Sequence, residues 1–146
     1  MNFMTSGSSW WQGRMAQCTA RPEELTALAD RCEALCADEQ RLGFERTLRT
    51  LGQVALAPQG MPADSDSLWV SLLADSGAYE SAALALLPPK AVFSGGRLVD
   101  GRYVAQVELP SGAGAHSREA NSLAMAWLAA LLRALAREMI EERPLH

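Results

Sequence analysis

The side chains with the clearest chemical potential in this sequence are three cysteines and two histidines. Cys32 and Cys36 are four residues apart, so on one helix they would share a face, as a helical pair of metal ligands does. A zinc site needs four ligands, and His116 and His146 lie far from this pair in the sequence. Together with Cys18 the cysteines are odd in number, which favours free thiols over a disulfide framework. We expect small buried residues here, with a metal or redox role as the alternative, and no cofactor.

Catalytic motifs give no stronger signal. A Ser-His-acid arrangement would need His116 or His146, and the pair His116-Ser117 lies at a loop-to-helix junction, where a serine commonly caps the helix. The segment Gly112–Gly114 lacks the third glycine and the strand-helix frame of a dinucleotide site. The sequence therefore predicts a protein that is not an enzyme.

Composition bounds the class of protein. The chain has 146 residues, 49% hydrophobic and 21% charged, which excludes wholesale disorder and favours a soluble globular domain without membrane association. The net charge of -4 provides no general attraction to nucleic acid or anionic lipid. The start of the chain, Met1–Gly13, has no basic cluster followed by an apolar run, so we expect no signal peptide and a location in the bacterial cytoplasm.

Helical periodicity dominates the first two thirds of the chain. Residues 1–20 have no clear period and are predicted to form an irregular arm, whereas residues 21–146 are predicted to form a single domain. A surface loop is expected from Val54 to Asp66, where prolines, glycine and polar residues cluster. Four helical segments are expected around it: Pro22 to about Ala37, about Glu39 to Leu51, a short helix near Leu68, and Tyr79 to Leu87.

The last third of the chain begins with β-type composition and ends with a long helical segment. Strands are predicted at about 91–99 and 102–109, joined by a tight turn at Asp100-Gly101, with a bulge or a shortening at Gly95-Gly96. Ser117 is the predicted N-cap of a long helix that continues to about residue 142. From Leu123 to Ala136 this helix carries one charge, Arg133, so it is expected in the core or in an oligomer interface.

These elements predict an α+β fold. A small antiparallel sheet over residues 91–109 would pack between helices in a two- or three-layer sandwich that includes the helix at 117–142. Two strands alone make a marginal sheet. Either a third strand lies at Val54–Leu56 or a second copy extends the open edge, and we therefore predict a homodimer.

One segment resembles the loop-to-helix junction of double-stranded-RNA-binding domains. Residues Gly112–Asn121, followed by Leu123-Ala124, are similar to the glycine-rich loop and Ser-Lys-Lys-x-Ala-Lys run of that family. The family's basic residues grip phosphates, and the corresponding positions here hold Arg118, Glu119 and Asn121. The resemblance implies an alternative function, nucleic-acid binding through Arg118 with Arg97 and Arg102 on the hairpin, although the acidic net charge argues against nucleic acid as the partner.

A wider resemblance, over roughly residues 25–137, is to the phage ABA-sandwich domain family of small phage and prophage proteins. It implies a phage-related origin and an α/β sandwich, and it brings no established activity and no catalytic residues. The similar segments are Leu28–Leu35 with Arg41-Leu42, Tyr79–Pro88, Asp100–Ala105 and Ala120–Leu135.

The function expected from these observations is protein binding. A phage-derived accessory protein without catalytic activity would need a contact surface for a host or phage protein. Tryptophans are the residues most enriched in such surfaces, and Trp10, Trp11 and Trp69 are the candidates.

Overall fold

The computed structural model describes residues 20–52 and 65–141. The predicted arm, apart from Ala20, and most of the predicted surface loop lie outside the described residues. Trp10, Trp11, Cys18 and the possible strand at Val54–Leu56 are therefore not placed.

The order of elements follows the sequence-based prediction. Helices α1 to α4 come first, then three strands, then the long helix α5, so the α+β class is confirmed. The bounds are α1 Pro22–Ala34, a 3-10 turn Ala37–Glu39, α2 Gln40–Gly52, α3 Ser65–Asp75, α4 Tyr79–Leu86, β1 Val92–Arg97, β2 Tyr103–Glu108, β3 Gly114–His116 and α5 Leu123–Glu141.

Helix α1 begins at Pro22, as predicted, because proline fixes a helical φ and its missing N–H is not needed in the first turn. The backbone N–H of Arg21 donates to Glu24 Oε1 at 2.8 Å, which secures this end. The helix ends three residues before the predicted Ala37, because Leu35 is extended, at φ -68° and ψ 141°. The chain then makes a separate 3-10 turn before α2.

The predicted hairpin is confirmed. Leu98 N–H donates to the carbonyl of Arg102 at 2.6 Å, Gly101 N–H donates to that of Leu98 at 2.9 Å, and Gly101 has φ +91°, which a glycine adopts without strain. Of the two alternatives predicted at Gly95-Gly96, the bulge is wrong, because both glycines pair in unbroken register with Ala105 and Val104, whereas β1 is shorter than the predicted 91–99. A Cβ on Gly95 would lie 2.8 Å from Leu123 Cδ1, so the close approach of α5 explains the first glycine.

The third strand lies in Pro110–His116, a stretch of small residues whose composition predicts a loop. Gly114–His116 pairs antiparallel with β2, so the sheet order is β1-β2-β3. Gly112, at φ +98°, turns the chain back, and its N–H donates to the carbonyl of Leu109 at 2.8 Å.

The predicted N-cap of the long helix is wrong. Ser117 stays extended beside β2, where its Oγ accepts the N–H of Ala105 at 2.8 Å. Ala120 and Tyr103 exchange two backbone hydrogen bonds, so the chain is still extended there and helical structure begins only at Leu123. Ser122 takes the capping role, because its Oγ accepts the N–H of Met125 at 3.3 Å.

Helix α5 lies between the sheet and α1 and is buried nearly all round, which confirms its prediction as a core helix. Its buried residues are mostly alanine and leucine, which allow neighbouring elements to approach closely. The sheet turns Ala105 and Val107 toward α5, whereas Gln106 and Glu108 on its other face are exposed.

Candidate interaction site

Helix α3 carries an apolar patch on its outer surface. Leu68, Trp69 and Leu72 are 46%, 56% and 51% exposed. Val70 and Ala74, on the opposite side of the helix, are buried and hold it against α2 and α4. Clustered large apolar side chains that remain in water are typical of binding surfaces. We name Leu68, Trp69 and Leu72 the α3 patch.

A groove of about 240 Å³ between α2 and α3 lies next to this patch. Ser71 and Asp75 of α3 line it, and helical spacing places them on the same side as Leu68 and Leu72. Arg41 Nε of α2 donates to Asp75 Oδ1 across the groove at 2.9 Å, with both side chains exposed. The patch therefore has a charged border on this side, as the apolar centres of protein interfaces commonly do.

Of the three tryptophans proposed for binding, the structure describes Trp69 and places it in the α3 patch. Trp127, which the sequence did not single out, is 8% exposed and belongs to the core. Its Nε1 donates to the carbonyl of Ser94 at 3.2 Å, and its ring makes an edge contact with Phe93. It supports β1 and is not available to a partner.

The three arginines of the nucleic-acid alternative lie at exposed positions, but two of them face carboxylates. Arg102 Nη1 is 3.2 Å from Glu119 Oε1, and Arg118 Nη1 is 3.7 Å from Asp30 Oδ1. Arg97 is exposed at the end of β1. The carboxylates of Glu119 and Asp30 therefore partly neutralise the positive charge with which these two arginines would bind a phosphate.

A second group of arginines, which the sequence did not single out, lies between α1 and α2. Arg31 of α1 and Arg46 and Arg49 of α2 line a groove of about 620 Å³ that also contains Glu24. Within the described ranges none of the three makes an ion pair. Their clustering depends on the packing of α1 against α2, which residue spacing alone does not reveal.

The strongest polar cluster joins α1 to α5. Arg133 contacts both Glu33 oxygens and lies 2.5 Å from Asp30 Oδ1. The N–H of Arg118 also donates to Glu33 Oε2, at 2.6 Å. Hydrogen bonding to Glu33 raises the pKa of Arg133, so this guanidinium stays charged. The cluster holds the segment before α5 in place. Its indication in the sequence is Arg133, a single charge in an otherwise apolar helical segment.

The cysteines have different environments. Cys32 is buried, as expected, and burial raises the pKa of its thiol to about 11, with Thr47 beside it. The expectation of burial is wrong for Cys36, which is exposed because the chain leaves the helix at Leu35. The charge of Glu39 raises the pKa of the Cys36 thiol. Within residues 20–52 and 65–141, no group of three or more His, Cys, Asp or Glu is placed to hold a metal.

In the described parts of the chain, no helix has the length and apolarity needed to cross a bilayer. Comparison with family models, curated proteins and solved structures finds no match for this chain.

Proposed function

We propose that this chain is a phage- or prophage-derived accessory protein that binds another protein, of host or phage origin, and catalyses no reaction. It acts as a homodimer in the cytoplasm of a bacterial cell. The observation that carries the binding function is the α3 patch, where Leu68, Trp69 and Leu72 remain exposed on a helix whose other side is packed in the core.

The patch has the features of a binding surface. It combines a tryptophan with two leucines at adjacent helical positions, and it borders a groove that contains Arg41 and Asp75. Aromatic and aliphatic centres with a polar border bind protein surfaces because they exclude water around a few strong contacts. The phage-related part of the proposal is supported by the resemblance over roughly residues 25–137.

The experiment compares the wild type with the variant Leu68→Ser/Trp69→Ser/Leu72→Ser. Each protein is immobilised as bait in a lysate of the bacterium that encodes it, and the proteins retained are quantified by mass spectrometry. A retained protein is then purified and its affinity is measured directly. We expect the triple substitution to weaken binding at least about 30-fold, the effect of losing one interface hot spot.

The matched control is Val99→Ser/Ile140→Ser, because these exposed apolar residues lie outside the α3 patch. It should bind the partner as the wild type does, and circular dichroism should show that both variants fold. If every retained protein binds the triple variant with wild-type affinity, the α3 patch is not the binding site. The double variant Trp10→Ala/Trp11→Ala then tests the tryptophans outside the described residues.

A further inference from the structure

Strand β1 forms an open edge of the sheet. All six of its residues, Val92–Arg97, are exposed, and among residues 20–52 and 65–141 they pair on one side only, with β2. The strand contains no proline and no bulge, and its charge is confined to Arg97 at its end. Proteins normally protect such edges with charges, prolines or bulges, because an open edge pairs readily with another strand.

The hydrogen-bond pattern identifies the free backbone groups. Leu98 N–H donates to the carbonyl of Arg102, so Leu98 directs its backbone groups toward β2. Directions alternate along an antiparallel strand, so Phe93, Gly95 and Arg97 direct their N–H and carbonyl groups away from β2. These three residues form a regular row of donors and acceptors on the open side.

The edge is held in a fixed conformation from beneath. The ring of Phe93 meets that of Trp127 edge-on at 5.9 Å between centroids, and Trp127 Nε1 donates to the carbonyl of Ser94. Gly95 lies so close to α5 that a Cβ would be 2.8 Å from Leu123 Cδ1. A strand held in place in this way needs little ordering when it pairs, which favours binding.

We infer that β1 pairs antiparallel with β1 of a second copy of this chain, with Gly95 opposite Gly95 at the two-fold axis. This register places the free groups of Phe93 opposite those of Arg97 in the other copy, so both strands use the same residues. Because the residue at the axis is glycine, no side chain there obstructs the close approach of the two strands.

The side chains are complementary in this register. Arg97 lies opposite the aromatic ring of Phe93, a favourable pairing of a cation with a π system. Val92 lies opposite Leu98, an apolar pair that the two-fold axis repeats. The segment Val92–Leu98 thus complements itself in apolar and in cation–π contacts.

The inference rests on the homodimer of the proposed function and specifies where its two copies meet. It involves no residue of the α3 patch, so dimer formation and partner binding can be tested separately. Pairing at β1 joins the two three-stranded sheets into one continuous sheet.

Disulfide cross-linking tests the register. Ser94 lies opposite Gly96 of the second copy in a pair without mutual hydrogen bonds, where Cα atoms approach to about 4.5 Å. That distance suits a disulfide, and a Cβ at Gly96 meets no atom within 4 Å. In the background Cys18→Ser/Cys36→Ser, we expect Ser94→Cys/Gly96→Cys to give a covalent dimer on a non-reducing gel. Each single substitution should cross-link at most one tenth as efficiently, because position 94 of one copy lies two residues along the strand from position 94 of the other, and the same holds for position 96.

Light scattering across a concentration series tests whether the open edge of β1 is the dimer interface. Arg97→Pro removes an N–H that faces away from β2, and Phe93→Lys places like charges opposite each other. Both should raise the dimer dissociation constant at least tenfold, whereas Arg97→Lys, which keeps the N–H and the charge, should preserve the dimer. Circular dichroism identifies any variant that fails to fold, and the other variant then decides the result.

Three outcomes would overturn the inference. In the first, the protein is a dimer, but positions 94 and 96 do not cross-link and both edge substitutions leave the dimer intact. The two copies then meet at another surface, and only the proposed homodimer is retained. A wild-type monomer at all concentrations removes both the interface and the proposed homodimer. A monomer whose amides at residues 93, 95 and 97 resist hydrogen exchange has its edge covered by another segment.

Discussion

Arg133 shows how one residue can organise this fold. It is the one charge between Leu123 and Ala136, and it reaches Glu33, which is 6% exposed, and Asp30 on α1. Two charges withdrawn from water are tolerated because each has hydrogen-bond partners. Glu33 also accepts the N–H of Arg118, so one carboxylate holds α1, α5 and the segment between β3 and α5 together.

Replacing Glu33 with glutamine should therefore destabilise the protein strongly. The variant leaves Arg133, in a largely buried position, with the half-exposed Asp30 as its remaining charged partner, so we expect the free energy of unfolding to fall by about 3 kcal/mol. The control, Glu119→Gln, breaks the exposed pair with Arg102 and should cost less than about 1 kcal/mol. Urea denaturation at pH 7 measures both values. Equal losses in the two variants would show that burial of Glu33 adds nothing to its contribution.

At the scale of elements, local signals predicted the hairpin and the helices but not their exact ends. Asp100-Gly101 specified the turn because only a few residue types adopt its backbone conformation. The start of α5 was misplaced because Ser117 and Ser122 both suit an N-cap, and the competing demand of Ala105 N–H on Ser117 arises only in the folded chain. β3 has no β-branched residue, and it forms a strand because β2 offers it hydrogen-bond partners.

The paired glycines of β1 provide a test of element packing. Gly95→Ala places a methyl group 2.8 Å from Leu123 Cδ1 and within 3.2 Å of Trp127 Nε1, so the Leu123 side chain, β1 or α5 must shift. We expect a loss of about 1–2 kcal/mol in the free energy of unfolding. Gly96→Ala meets no atom within 4 Å and should be neutral or slightly stabilising, because alanine restricts the unfolded chain. Thermal or urea unfolding distinguishes the two, and equal effects would argue against close packing of β1 on α5.

At the scale of the whole molecule, the sequence indicated Trp69 as a candidate contact residue but not the two leucines that join it in the α3 patch. The segment from Leu68 to Leu73 is apolar at every position but Ser71, so its pattern does not show which side of α3 faces the core. The packing of Val70 and Ala74 against α2 and α4 decides this, and it leaves Leu68 and Leu72 outside. The site is therefore a consequence of tertiary packing.

Charge over the whole molecule gives a final prediction, for nucleic-acid binding. The chain carries a net charge of -4, and Glu119 and Asp30 partly neutralise Arg102 and Arg118. Phosphate contacts release counterions, so they weaken steeply with salt. We expect double-stranded RNA and DNA to show no binding in fluorescence anisotropy at 150 mM salt.

The contrary result would be a salt-dependent signal, and two variants would then locate its source. Arg97→Ala/Arg102→Ala/Arg118→Ala removes the cations of the junction and the hairpin. Arg31→Ala/Arg46→Ala/Arg49→Ala removes the same number of positive charges from the groove between α1 and α2. Because the variants have equal net charge, a loss of binding in the first alone would support the resemblance to double-stranded-RNA-binding domains. A loss in the second alone would place the phosphates in the groove, where no carboxylate pairs with those three arginines in the described part of the chain.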